Sequence, residues 1–127
     1  MTEQWKPVYE YEGMYEVSSK GNVRSLDRFI IANGVRRFLK GKVLANTINS
    51  AGYFKVRLSK EGIKKTQLVH HLVGESFLNH TIRCNFITLD HKNEDKLNNN
   101  LDNLQVISKR DNILKNRAFK KLQSIKL

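Results

Sequence analysis

Four side chains in one stretch of this sequence have types and spacing that suit joint chemistry. Asp90 and His91 are adjacent, Asn103 follows the histidine by twelve residues, and Asn112 comes nine residues later. A carboxylate and an amide oxygen are hard donors, and an all-oxygen site with open water positions suits Mg²⁺ or Mn²⁺ better than zinc. An imidazole with an ordinary pKa of about 6.5 is a fitting general base for a water attacking phosphorus. A divalent ion beside it would neutralise charge on the phosphate and on the leaving 3′ oxygen. The chemistry indicated is metal-assisted hydrolysis of a phosphodiester. Adjacent strand residues point to opposite faces, so Asp90 and His91 can serve one site only where their strand ends or twists.

The elements around these residues read as a ββα unit. Phe86-Ile87-Thr88-Leu89 predicts a strand that delivers Asp90 and His91 at its end. The polar run from Lys92 to Asn100 is a loop, and Leu104-Gln105-Val106-Ile107 predicts the return strand. Ser108 with Asp111 three residues on forms a capping box, so a helix begins near Lys109 and runs through Ile113, Leu114, Arg117 and Ala118. If that helix packs across the hairpin, Asp90 and Asn112 reach one ion.

Upstream, Tyr53–Ser59 and Ile63–Val69 alternate around a Lys60-Glu61-Gly62 turn, which predicts a hairpin, and His70–Phe77 predicts a short helix. Asn33-Gly34 marks a second hairpin between Phe29–Ile31 and Val35–Leu39. Residues 1–26 read as a small antiparallel meander whose inner face carries Trp5, Tyr15, Val17, Val23 and Leu26. The fold class is α+β. A small N-terminal antiparallel β region spans 1–50, the unit bearing the chemistry spans 51–119, and a basic tail spans 120–127.

Charge narrows the partner. Lys and Arg number 23 against 12 acidic residues, a formal net charge of +11. Such a chain is drawn to polyanions, nucleic acid or an anionic membrane. No stretch approaches the roughly 18 apolar residues of a membrane span. The start, MTEQW, shows no export leader, and the single cysteine, Cys84, permits neither an internal disulfide nor a Cys-rich zinc site. The expected compartment is therefore the cytoplasm, intracellular. The expected DNA-facing cations are Arg36, Arg37, Lys40, Lys55, Arg57, Lys64 and Lys65, with Lys109, Arg110, Lys115, Arg117, Lys120 and Lys121 toward the tail. Any one of them could equally be a solvated surface charge.

The pattern resembles the HNH endonucleases, in particular the small phage and intron-associated homing type. The matching residues are Val69-His70-His71-Leu72-Val73 with Phe77, Asp90-His91-Lys92, Asn98-Asn99, Asn103-Leu104 and Asn112. The N-terminal residues Trp5-Lys6, Tyr11-Glu12-Gly13, Tyr15, Val17-Ser18, Gly21 and Val23-Arg24-Ser25 resemble the NUMOD-type motif that often precedes such nucleases. The resemblance implies a ββα-metal (HNH, His-Me finger) core acting on double-stranded DNA in a phage or bacterial host cell. It implies Asp90 and Asn112 as ligands of Mg²⁺ or Mn²⁺, and His91 as general base. It gives Asn103 a bond that fixes the loop, and His70 a supporting role or a phosphate contact. Products would be a 5′-phosphate and a 3′-hydroxyl. The chain departs from the family at Val106, where Trp is common, and at Asn93-Glu94-Asp95, which lacks a usual Gly. It also leaves no room for the helix-turn-helix module that such enzymes often carry. A homodimer or a partner protein would then supply specificity. The alternatives are a non-catalytic DNA-binding protein on the same scaffold, and a basic structural protein.

Overall fold

The computed structural model describes residues 2–78 and 87–108. The helix expected from Lys109, Asn112, the cations from Lys109 to Lys121, and Phe86, His80 and Cys84 lie outside them. The described chain is α+β as its sequence indicates, with four small antiparallel sheets, three of which pack on one helix.

The first sheet is a meander of β1 (Trp5–Pro7), β2 (Tyr15–Ser18) and β3 (Val23–Ser25), in that order. Alternation turns Tyr15, Val17 and Val23 inward, and all three are buried. Trp5 departs from the expected inner face. It is only half-buried, with the Arg24 guanidinium 4.0 Å above its ring. Arg24 is held there by Glu16 across the β2–β3 pair, through Nε at 2.9 Å and Nη2 at 2.6 Å. Val8 and Tyr11 occupy the core instead. The Val8 N–H donates to the Tyr15 carbonyl at 3.0 Å, turning the chain inward just after Pro7, and the Tyr11 ring meets Tyr15 edge-on at 5.7 Å.

β4 (Arg28–Ala32) and β5 (Val35–Leu39) form the expected hairpin. Asn33 and Gly34 both take positive φ, +52° and +75°, as a two-residue hairpin turn requires. Every residue of β5 is exposed. The ribbon is closed at its base by Gly41 N–H on Asp27 Oδ1 (2.6 Å) and Lys42 N–H on Ser25 Oγ (3.0 Å).

β6 (Thr47–Ile48), β7 (Phe54–Lys60) and β8 (Ile63–Leu68) make a third sheet, and helix α1 (Val69–Phe77) follows β8 directly. Val56 and Leu58 of β7 join Val69, Leu72 and Val73 of α1 and the inner face of the first sheet in one core. The Ser59 N–H donates to the Tyr15 hydroxyl at 3.0 Å, tying the first and third sheets together. The last sheet pairs β9 (Ile87–His91) with β10 (Leu104–Ser108). Gly74 lets α1 approach it closely, since a Cβ at that position would overlap the buried Leu89 side chain.

Candidate active site

Register decides where the two chemical groups of β9 point. Asp90 pairs with Gln105 and His91 with Leu104, so the pleat turns them to opposite faces of the hairpin. Both are 6% exposed. On one face, Gln105 Nε2 donates to Asp90 Oδ2 at 2.7 Å, a charge-assisted bond that orients the carboxylate. On the other, the His91 ring enters an aromatic cluster. Its centroid lies 5.8 Å from Tyr53, stacked, and 5.0 Å from His70, edge-on. Tyr53 and His70 are themselves 4.9 Å apart. Tyr53 is fixed from its own loop, where Asn49 Oδ1 accepts from the Ala51 and Tyr53 N–H groups at 3.0 and 2.9 Å.

His91 Nε2 lies 2.8 Å from Asn99 Oδ1. An amide oxygen only accepts, so this contact is a hydrogen bond in the tautomer that carries the neutral imidazole's proton on Nε2. Asn99 is 4% exposed, and its Nδ2 has no hydrogen-bond partner among the described residues.

The loop from Lys92 to Asn100 is gathered by Asn103. Asn103 Oδ1 accepts from the Asn93 N–H at 3.2 Å, its Nδ2 donates to the Asn98 carbonyl at 2.9 Å, and its own carbonyl accepts from the Lys92 N–H at 2.7 Å. It sits at the end of a single 3₁₀ turn, Leu101–Asn103, and is 8% exposed. Lys96 folds back over the same site, with Nζ 5.0 Å above the Tyr53 ring and donating to the Ala51 carbonyl.

The structure therefore brings His91 and His70 together and places Asp90 on the other side of the same strand end. Asn112 lies outside the described residues. Among those described, no three His, Cys, Asp or Glu side chains gather as a metal-ligating group. No helix among them is long and apolar enough to cross a membrane. Arg36, Arg37 and Lys40 are exposed on and beside β5. Lys55, Arg57 and Lys64 share one face of the β7–β8 pair, and Lys65 lies on the other. Two residues that sequence reasoning missed, Gln105 and Tyr53, also shape the site, with Asn99, which it named only as a family position. Gln105 could have been found as the cross-strand partner of Asp90. Tyr53 carries no local signal, because what it touches is distant in sequence, and nothing in the polar run says that Asn99 is the residue to meet His91.

Comparison with known proteins points to one family. Residues 3–59 match the NUMOD4 motif. The chain is 33% identical over 110 residues to the DNA endonuclease I-HmuI of Bacillus phage SP01, covering 87% of this chain and 55% of that protein. It is 33% identical over 105 residues to the uncharacterized HNH endonuclease L245 of Acanthamoeba polyphaga mimivirus, covering 83% of this chain and 27% of the relative. The solved structure of the HNH homing endonuclease I-HmuI, described for DNA binding and cleavage, superposes with a TM-score of 0.72 at 30% identity, over 96% of this chain and 65% of that one. The chain thus spans about half or less of the length of these two relatives.

Proposed function

Because this chain belongs to the family of phage and viral HNH homing endonucleases and carries a NUMOD4 motif, we propose that it is a divalent-metal-dependent DNA endonuclease that hydrolyses phosphodiester bonds to a 5′-phosphate and a 3′-hydroxyl. One observation carries the reading. At the end of one strand a buried carboxylate and a buried imidazole leave on opposite faces, each held by an amide side chain, Gln105 for Asp90 and Asn99 for His91. In-line displacement at phosphorus needs the attacking water and the leaving oxygen on opposite sides. Asp90 and His91 are the last two residues of β9, so both can serve one phosphate where the strand ends.

His91 takes the proton of the attacking water at Nδ1, the nitrogen left basic when Nε2 is bonded to Asn99. Tyr53 and His70 fix its ring plane, and the burial of His70 (5% exposed) favours this supporting role over a phosphate contact. Asn103 holds the loop that carries Asn99. Asp90 and, outside the described residues, Asn112 would hold the ion. A buried carboxylate oriented by a neutral amide is a hard donor that fits Mg²⁺ or Mn²⁺. When bound, the ion supplies charge neutralisation on the phosphate and the leaving 3′ oxygen. Arg36, Arg37 and Lys40 on the exposed ribbon, and Lys55, Arg57 and Lys64 on the β7–β8 face, supply phosphate contacts that position the duplex.

The test is supercoiled plasmid incubated with the protein in Mg²⁺, Mn²⁺ or EDTA, beside His91→Ala. Metal-dependent nicking or linearisation that His91→Ala lowers by about 10²- to 10⁴-fold, with DNA affinity retained, is expected. A nick is the product of one active site, and linear DNA that of two. A salt-sensitive gel shift with no cutting of a cognate site in either metal would instead identify a DNA-binding protein without nuclease chemistry.

A further inference from the structure

The turn between β2 and β3, residues 18–22, belongs to the N-terminal region, yet it rests against the loop that follows His91. The Ser19 carbonyl accepts from the Leu101 N–H at 2.7 Å. Two residues on, Gly21 is buried at φ +82°, and a Cβ built there would stand 2.7 Å from the Asn99 Cβ and 3.1 Å from its carbonyl oxygen. Neither the backbone angle nor the space admits a side chain. Ser18 Oγ accepts from the Lys20 and Asn22 N–H groups, which holds the turn in shape. The turn therefore grips residues 99–101 at two points.

What it grips is the residue bonded to the candidate base. Asn99 Oδ1 lies 2.8 Å from His91 Nε2. Asn99 is buried although its Nδ2 finds no partner among the described residues. A stranded donor destabilises the fold, and an apolar side chain of similar size would avoid that penalty. The amide is accounted for by what its oxygen holds.

We propose that the β2–β3 turn is a positioning element for His91, acting through Gly21 and Asn99, so that the N-terminal motif serves the chemistry in addition to any contact with DNA. The proposal rests on the reading of His91 as general base. In it, Gly21 sets the place of Asn99. Asn99 fixes the His91 ring angle and keeps the proton on Nε2.

The experiment combines ¹⁵N NMR of the metal-free protein with cleavage kinetics in Mg²⁺, for wild type, Asn99→Ala, Asn99→Asp, Gly21→Ala and His91→Ala. Spectra are taken at about pH 8, above the ordinary imidazole pKa of about 6.5. Wild type should show His91 as the Nε2–H tautomer. Asn99→Ala should mix the tautomers and lower kcat by roughly 10- to 100-fold with KM unchanged. Asn99→Asp keeps an acceptor oxygen and should restore both the tautomer and most of kcat. Gly21→Ala should lower kcat alone and add nothing further in the Asn99→Ala background. If Gly21→Ala does not fold, the Asn99 pair carries the test. A wild-type tautomer and kcat in Asn99→Ala, beside an inactive His91→Ala, would overturn this proposal and leave the base assignment standing. So would equal kcat losses in both Asn99 variants that follow a lower melting temperature. Full activity in His91→Ala would overturn the base assignment, and the proposal with it.

Discussion

Asn103→Ala is the substitution whose cost follows most directly from the structure. It removes two side-chain hydrogen bonds, from the Asn93 N–H at 3.2 Å and to the Asn98 carbonyl at 2.9 Å. It keeps the backbone bond from Lys92 N–H to the Asn103 carbonyl, so the loop loosens without detaching. Each lost bond is worth about 1 kcal/mol net, for a total of about 2 kcal/mol. In a chain of 127 residues that lowers Tm by roughly 6–8 °C. Thermal and urea unfolding followed by circular dichroism measure it. Cleavage should fall as well, because the loosened loop carries Asn99. Asn103→Asp sharpens the test. It retains the acceptor for Asn93 but sets a carboxylate oxygen against the Asn98 carbonyl, so it should be no more stable than the alanine variant. An alanine variant that melts within about 1 °C of wild type, where the bond arithmetic demands several degrees, and that cuts at full rate, would refute the view that Asn103 pins this loop.

Three further outcomes are expected. Arg24→Ala should destabilise by about 1 kcal/mol, combining a half-exposed ion pair with a cation–π contact. It should also shift the emission of Trp5, the chain's one tryptophan, and an unchanged spectrum would contradict the stacking. Glu3 has its pKa lowered from 4.5, first by a hydrogen bond from Ser18 and then by one from Asn22, with smaller help from Lys20 and Arg24. Its folded pKa lies below its unfolded one, so its contribution is present above about pH 4.5 and lost as pH falls through the folded value. Urea midpoints across that acid range should fall more steeply for wild type than for Glu3→Gln, and parallel curves would remove Glu3 from the account. Gly74→Ala gains up to about 1 kcal/mol of helix propensity but overpacks Leu89 at about 1–3 kcal/mol, for a net loss. Unfolding in urea decides the sign, and a stabilised variant would show that Leu89 yields freely.

Local pattern and turn chemistry made much of the fold legible. Alternation along Phe54–Lys60 and Ile63–Leu68, the Asn33-Gly34 pair, and the apolar spacing of Val69–Phe77 each encode one element by themselves. The adjacency of Asp90 and His91 marked the candidate site because they are consecutive. The rest depends on contacts between distant segments. Nothing near Trp5 says that Arg24 will hold it at the surface while Val8 goes inside, since that choice is made by Glu16 across a strand pair. Within Asn98-Asn99-Asn100 the three side chains are chemically identical, yet only Asn99 is buried and meets His91. Gly21, some 80 residues earlier, makes room for it. Asn103 was legible as a family position, and its bonding pattern appears only once the loop is closed.

The β4–β5 ribbon is closed at its base by a seam formed by Asp27–Gly41 and Ser25–Lys42, and all of β5 is exposed. Two strands alone are marginal in water, so this arm draws its order from its neighbours and lends little in return. That asymmetry has an evolutionary meaning. A lineage can lengthen, shorten or exchange the arm between the two halves of the seam while the loop around His91 is inherited unchanged. The arm and the turn that holds Asn99 against His91 can then change independently of each other.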